Sequence, residues 1–292
     1  MQSRNPVFNR AEGFNGRNTA SAPTYPGYGT QDPYANQYGN QYGAPQSGTT
    51  YGTTTGGERM TIDSVVQKTG FTLGVLILTA AATWFLTPDI TNEQAASTLY
   101  TVSLVGALGG FALSMVNSFK RVVSPPLVLL YAGVQGLFVG AFSKTVSTIF
   151  GNPDDGVMGS IVMGAVLGTM AAVAGTLAAY KFFDIKVSSK FRKWVVGMMF
   201  GFVAVSLLDL VLGFFHADFG FNGFGAMGLL SSVIGLALGV LMLILDFDFV
   251  ERGIAAGLPE RESWRAAFGL TVTIVWIYIE LLRILAILRG ND

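Results

Sequence analysis

Apolar positions along this chain fall into long, nearly unbroken runs, not into the narrow stripe of a soluble amphipathic helix or the alternation of a half-buried strand. From Thr61 onward seven such runs stand out, near Val65–Leu86, Ala95–Phe119, Pro126–Ile149, Val157–Tyr180, Trp194–Phe215, Phe224–Leu245 and Ala266–Leu288. Each is long enough to cross a hydrocarbon core, which takes about 20 helical residues. Barrel strands would alternate apolar and polar positions with a period of two, and these runs do not, so the pattern predicts helices. Short connectors with helix-stopping chemistry separate several of them: Thr87-Pro88-Asp89, Ser124-Pro125-Pro126, Gly151-Asn152-Pro153-Asp154-Asp155 and Gly257-Leu258-Pro259. The expected fold class is all-α, a polytopic membrane protein with seven transmembrane helices.

The chain ahead of these runs is a different polymer. Its first 57 residues are rich in Gly, Tyr, Gln, Asn, Ser, Thr and Pro, with the tandem Asn36-Gln37-Tyr38-Gly39 and Asn40-Gln41-Tyr42-Gly43 and no aliphatic run to nucleate a core. The domain reading is therefore a disordered cytoplasmic tail over 1–60 and a seven-helix transmembrane domain over 61–292. No apolar stretch follows the early arginines, so the tail is not read as a secretory signal. It is either a solvated extension or a tyrosine-rich segment that recruits a partner.

Composition narrows the chemistry. Hydrophobic residues make up 51% and charged residues 12%, with mean hydropathy +0.49, whereas soluble domains carry about 25% charged residues. The net charge is +0, so no basic surface points to nucleic acid. With no cysteine, disulfides, thiolate catalysis, zinc–thiolate sites and iron–sulfur clusters are excluded. The single His216 cannot build a histidine metal cluster; it is either an interface residue or a pH sensor. A lone histidine at a helix end supports no Ser/His/Asp catalysis. The chain is expected to be no enzyme and to need no cofactor; any metal remains unknown.

Basic residues set the expected orientation. With the N-terminus in the cytoplasm, Lys68, Lys120, Arg121, Lys181, Lys186, Lys190, Arg192, Lys193, Arg252, Arg261 and Arg265 all fall inside, while the outer loops carry Asp89, Glu93, Asp154, Asp155 and Asp218. The expected location is the cell membrane, multi-pass, with the lipid bilayer as first partner. Glycine pairs four apart, at Gly106/Gly110, Gly136/Gly140, Gly164/Gly168, Gly197/Gly201 and Gly235/Gly239, predict close helix packing.

Leu245-Asp246 closing the sixth run, the short charged loop after it, and the ending Tyr278-Ile279-Glu280-Leu281-Leu282-Arg283-Ile284-Leu285-Ala286-Ile287-Leu288 resemble the Bax inhibitor family, also called transmembrane Bax inhibitor motif proteins. Tyr131-Ala132-Gly133-Val134-Gln135-Gly136-Leu137-Phe138-Val139-Gly140 is similar to its third helix. The resemblance covers roughly Thr61 to Leu288. It implies six helices around a central seventh and, for bacterial members, a pH-sensitive calcium leak. It also implies that Asp246 pairs with a second acid in the seventh helix and is latched by a basic residue after the second, here Lys120 or Arg121. Counting back from Leu281-Leu282-Arg283, the second acid falls near Thr273, so this chain departs from the pattern there.

Depth suggests other polar groups. At roughly 1.5 Å per residue from the cytoplasmic end, Asp209 lies about 22 Å up its helix, Glu280 about 21 Å, Arg283 about 25 Å and Lys144 about 27 Å. Intramembrane charges face the bundle interior and pair. Asp209 and Glu280 are expected to face each other, with Arg283 and Lys144 as counter-charges, unless Lys144 snorkels to the interface. Glu280 and Arg283, three apart, can meet on one helix. The layer either forms a proton-sensitive constriction or locks helix registry. The functional expectation is a pH-sensitive cation leak channel or transporter, with calcium or protons as the ions. The alternative is a membrane-embedded regulator that binds another membrane protein, such as a quality-control protease.

Overall fold

The structure is a computed structural model that describes residues 58–89, 93–152, 156–183 and 185–290. Eight helices run through them: α1 (Ile62–Leu86), α2 (Glu93–Phe119), α3 (Pro125–Phe150), α4 (Gly156–Gly159), α5 (Ile161–Phe182), α6 (Ser189–Gly213), α7 (Ala226–Ala255) and α8 (Glu262–Gly290). Seven are long and apolar enough to cross a membrane, and α4 is one short turn. The fifth, sixth and seventh runs of the sequence are thus α6, α7 and α8. Residues 1–57, most of the expected tail, lie outside the described residues.

Local chemistry starts these helices where it should. Thr61 Oγ1 accepts the Ser64 amide at 3.1 Å while Ser64 Oγ accepts the Thr61 amide at 3.0 Å, a capping box that opens α1. Pro125 and Pro126 lead α3, where a missing N–H is harmless. Ser160 caps α5 through the Met163 amide at 3.2 Å. That cap breaks the fourth expected run, which is drawn from Val157, and leaves α4 as a separate turn. The sixth run is expected to end at Asp246, yet α7 continues to Ala255. Apolar patterning stops where hydrocarbon stops; the helix goes on because Asp248 pairs with Arg252 one turn later and with Arg192 of α6 at 2.7 Å.

The last helix is the best buried of the seven spans. Its backbone lies against α1, α3, α5 and α7, with Thr271, Ile277, Leu282 and Ala286 fully enclosed. By contrast α2 rests on α3, and α6 on α7. Outward-facing Leu78, Phe85 and Phe200 are exposed, as side chains in lipid would be. Glycines bring some of these helices close. A Cβ on Gly106 would stand 2.6 Å from the Phe138 nitrogen, and one on Gly136 2.6 Å from the Leu76 carbonyl oxygen. Gly197 and Gly201 instead face open space, because α6 turns that face outward.

Glu58–Met60, assigned to the tail from sequence, belong to the bundle. The Met60 amide donates to Leu258 O at 2.8 Å and the Glu260 amide to Glu58 O at 2.7 Å, bridging Arg59 to Pro259. Met60 is 2% exposed, seated on Gly253 and Leu258. A lone apolar residue has no period, which is why the pattern missed it. Nearby, Lys68 Nζ lies 2.6 Å from Glu260 Oε1, and the Ser64 and Ser263 hydroxyls meet at 2.7 Å.

Two outcomes follow from this strap. Removing residues 1–57 is expected to leave thermal unfolding in detergent unchanged, whereas removing residues 1–60 empties the Met60 site and should cost about 2–5 kcal/mol, as other Met-sized deletions do. The Lys68 ammonium, hydrogen-bonded to Glu260, holds that carboxyl below its usual range. A lowered folded-state pKa contributes stability that is present above the unfolded value, about 4.3, and is lost as pH falls through the folded one. Glu260→Gln should therefore melt below the wild type at neutral pH and converge with it in acid.

Candidate functional site

Thr273 stands where the family resemblance implies a second acid, and the structure joins it to Asp246. Thr273 Oγ1 donates to Asp246 Oδ2 at 2.6 Å, tying α8 to α7. Asp246 Oδ1 lies over Gly269, where a Cβ would stand 3.4 Å from it. The hydroxyl keeps the contact of an acid pair without its second charge.

Lys120 and Arg121 do not latch this acid. Among the described residues Asp246 forms no ion pair, and both basic side chains are exposed. Their backbone carbonyls instead accept from Arg265 Nη2, at 3.4 and 2.8 Å. The cause is packing: α2 rests on α3, so its end is not carried across to α7. The buried ion-paired acid nearest to Asp246 in sequence is Asp248, 6% exposed, bound by Arg192 and Arg252. Its spacing of four from Arg252 was the available signal.

A second polar level lies farther along α8. Arg283 Nη1 meets Glu280 Oε2 at 3.2 Å, as the spacing of three predicts, and both side chains are buried. The Glu280 carboxylate rests on α7 at Gly235, where a Cβ would come within 2.7 Å of Oε1. Gly235, read as a helix-packing position, thus makes room for an acid. Arg283 Nη2 also donates to the carbonyls of Phe221 and Gly223, at 3.0 and 3.1 Å, in the loop between α6 and α7.

Asp209 holds the same loop from α6. Its two oxygens accept the amides of Phe219 and Asn222 at 2.9 and 2.8 Å. Among the described residues no hydrogen bond joins Asp209 to Glu280; loop amides bind the first and Arg283 the second. Two carboxylates in contact would repel in a low dielectric, whereas amides and a guanidinium satisfy each one separately. Ser206 and Asn222 bond to each other across the loop, Ser206 Oγ donating at 2.6 Å. Sequence reading passed over both, since neither carries charge. Asp209→Ala should free the loop, costing about 1–3 kcal/mol for each buried amide left unpaired; faster proteolysis between 214 and 225 would register it.

Lys144 is no counter-charge to either acid. Its Nζ donates to the carbonyls of Trp84 and Thr87 at 2.9 and 2.5 Å and pairs with Asp89 at 2.9 Å. The last carbonyls of α1 lack helical partners and sit at the negative end of its dipole, which draws a cation there. His216 closes α6 in an exposed turn with φ 57, in the left-handed region. Among the described residues no three His, Asp or Glu side chains converge as a metal group.

Residues 5–290 match the family described as Bax inhibitor 1 like, so the likeness begins well ahead of Thr61. No curated protein matches the chain.

Proposed function

The chain belongs to the Bax inhibitor 1 like family, and from that premise we propose that it is a pH-sensitive cation leak channel or transporter of the cell membrane, with calcium as its ion. The observation that carries this reading is the Asp246–Thr273 bond at 2.6 Å. It marks a carboxylate inside a seven-helix bundle, held by one hydroxyl and by no ion pair among the described residues. An acid at membrane depth costs about 2.5–3.5 kcal/mol even on insertion scales, so its retention implies use. Carboxylate oxygens are the ligands a hard divalent cation takes.

A cation that passes Asp246 next reaches Glu280 and Arg283, about 10 Å farther along α8. There the guanidinium, fixed to Glu280 and to two loop carbonyls, blocks a positive ion. Conduction thus requires the Thr273 bond to break and the loop between α6 and α7 to release Arg283. The N-terminus is cytoplasmic on this reading, because Lys120, Arg121, Lys190, Arg192, Lys193, Arg252, Arg261 and Arg265 share the side on which α1 begins.

The test is flux from liposomes holding the purified full chain, with calcium, sodium and potassium each measured across pH. Calcium flux that varies with pH in the wild type and flattens in Asp246→Asn supports the reading. Wild-type liposomes as tight as empty ones to all three ions would overturn it.

A further inference from the structure

We propose that the cleft between α2 and α6 is a binding site for a glycerophospholipid, with one acyl chain lying along its apolar wall. The cleft has a volume of about 960 Å³ and is lined by α2, α3, α6 and α8. That is the upper end of the roughly 300–1,000 Å³ typical of ligand pockets. It exists because the two rim helices each pack elsewhere, α2 on α3 and α6 on α7, and do not close on one another.

The walls select an apolar chain. Leu104 and Phe111 from α2, Phe138 from α3, Leu207 and Leu210 from α6 and Val275 from α8 form them. Water along such a surface would lack the two to four polar partners it needs. Leu104, Phe111, Leu207 and Leu210 are also exposed on the outside, so the groove is continuous with the lipid-facing surface of the spans. A bilayer lipid therefore enters sideways, without leaving its leaflet, and gains van der Waals contact on three sides.

The charged groups gather at one end. Ser206, Asn222, Glu280 and Arg283 line the cleft toward the loop between α6 and α7. Arg283 is 8% exposed and its Nε is a buried donor without a partner. Measured along α8 from Ala266, Arg283 lies about 25 Å into a hydrocarbon core about 30 Å thick, near the level of ester and phosphate oxygens in that leaflet. A lipid with its glycerol–phosphate region at this end and a chain descending toward Tyr131 matches both halves of the cleft. The site stands whether or not the chain conducts ions.

The test places the full chain in phosphatidylcholine vesicles containing a small share of phosphatidylcholine with a photoreactive diazirine in one acyl chain, and maps the adducts by peptide mass spectrometry. Leu104, Phe111 and Leu207 should be labelled above Leu78 and Phe85 of α1, although the latter two are more exposed. Ala107→Trp, filling the groove, should remove those adducts, whereas Leu108→Trp, on the outward face of α2, should keep them. Labelling that simply follows exposure, with Leu78 and Phe85 foremost, means annular lipid only and overturns the proposal. So does a folded Ala107→Trp with undiminished groove labelling. Should Ala107→Trp fail to fold, the wild-type distribution decides alone.

Discussion

Arg283→Leu should destabilise the bundle by about 3–5 kcal/mol, the cost of leaving one member of a buried ion pair unpaired. Three losses coincide at this residue. Glu280, 5% exposed, keeps its carboxylate on Gly235 with no guanidinium beside it. The Gly223 carbonyl loses its Arg283 donor and the Phe221 carbonyl one of its two, so the loop between α6 and α7 is held by Asp209, Ser231 and the Ser206–Asn222 bonds. Adding Glu280→Leu should recover part of the loss, because removing both members of a buried pair is often neutral. Denaturant unfolding in micelles measures all three proteins. A drop below about 1 kcal/mol for the single variant would mean that the pair behaves as an exposed one.

Thr273→Asp should change how calcium flux depends on pH, on the function proposed above. It sets a second carboxylate against Asp246, where the native hydroxyl now donates at 2.6 Å. Two interacting carboxylates titrate in two macroscopic steps, so the flux profile should gain a step that the wild type lacks. Thr273→Val removes the bond without adding charge. A hydrogen bond worth about 1 kcal/mol that holds the path shut implies roughly fivefold more flux once it is gone. Liposome flux across pH, with the three proteins at equal loading, checks both. A Thr273→Asp profile that overlays the wild type would remove Asp246 from the gate.

The family resemblance marked Thr273 as the place where a second acid would pair with Asp246, and the hydroxyl that stands there bonds to it; Glu280 and Arg283 were paired by a spacing of three, and that contact is present. The second contact depends only on spacing along one helix, where residues three apart are neighbours. Depth also suggested partners for Asp209 and Lys144, and the structure gives them others. Depth says nothing of rotation about the helix axis, and rotation took Lys144 to the end of α1 and Asp209 to loop amides.

The sequence by itself determined that this chain is a seven-helix membrane protein, because uninterrupted apolar runs leave the backbone no stable alternative in hydrocarbon. It also marked Asp209, Glu280, Arg283 and Lys144 as charges that the bundle must accommodate, and all four are buried. Only the tertiary structure decided that Asp248, not Asp246, takes the arginines, that the strap at Met60 ties the chain to the loop after α7, and that α2 and α6 stand apart over a cleft. Those outcomes turn on which helices become neighbours. Among surfaces as apolar as the lipid around them, shape and a few hydrogen bonds settle that choice, and neither is written in an apolar pattern.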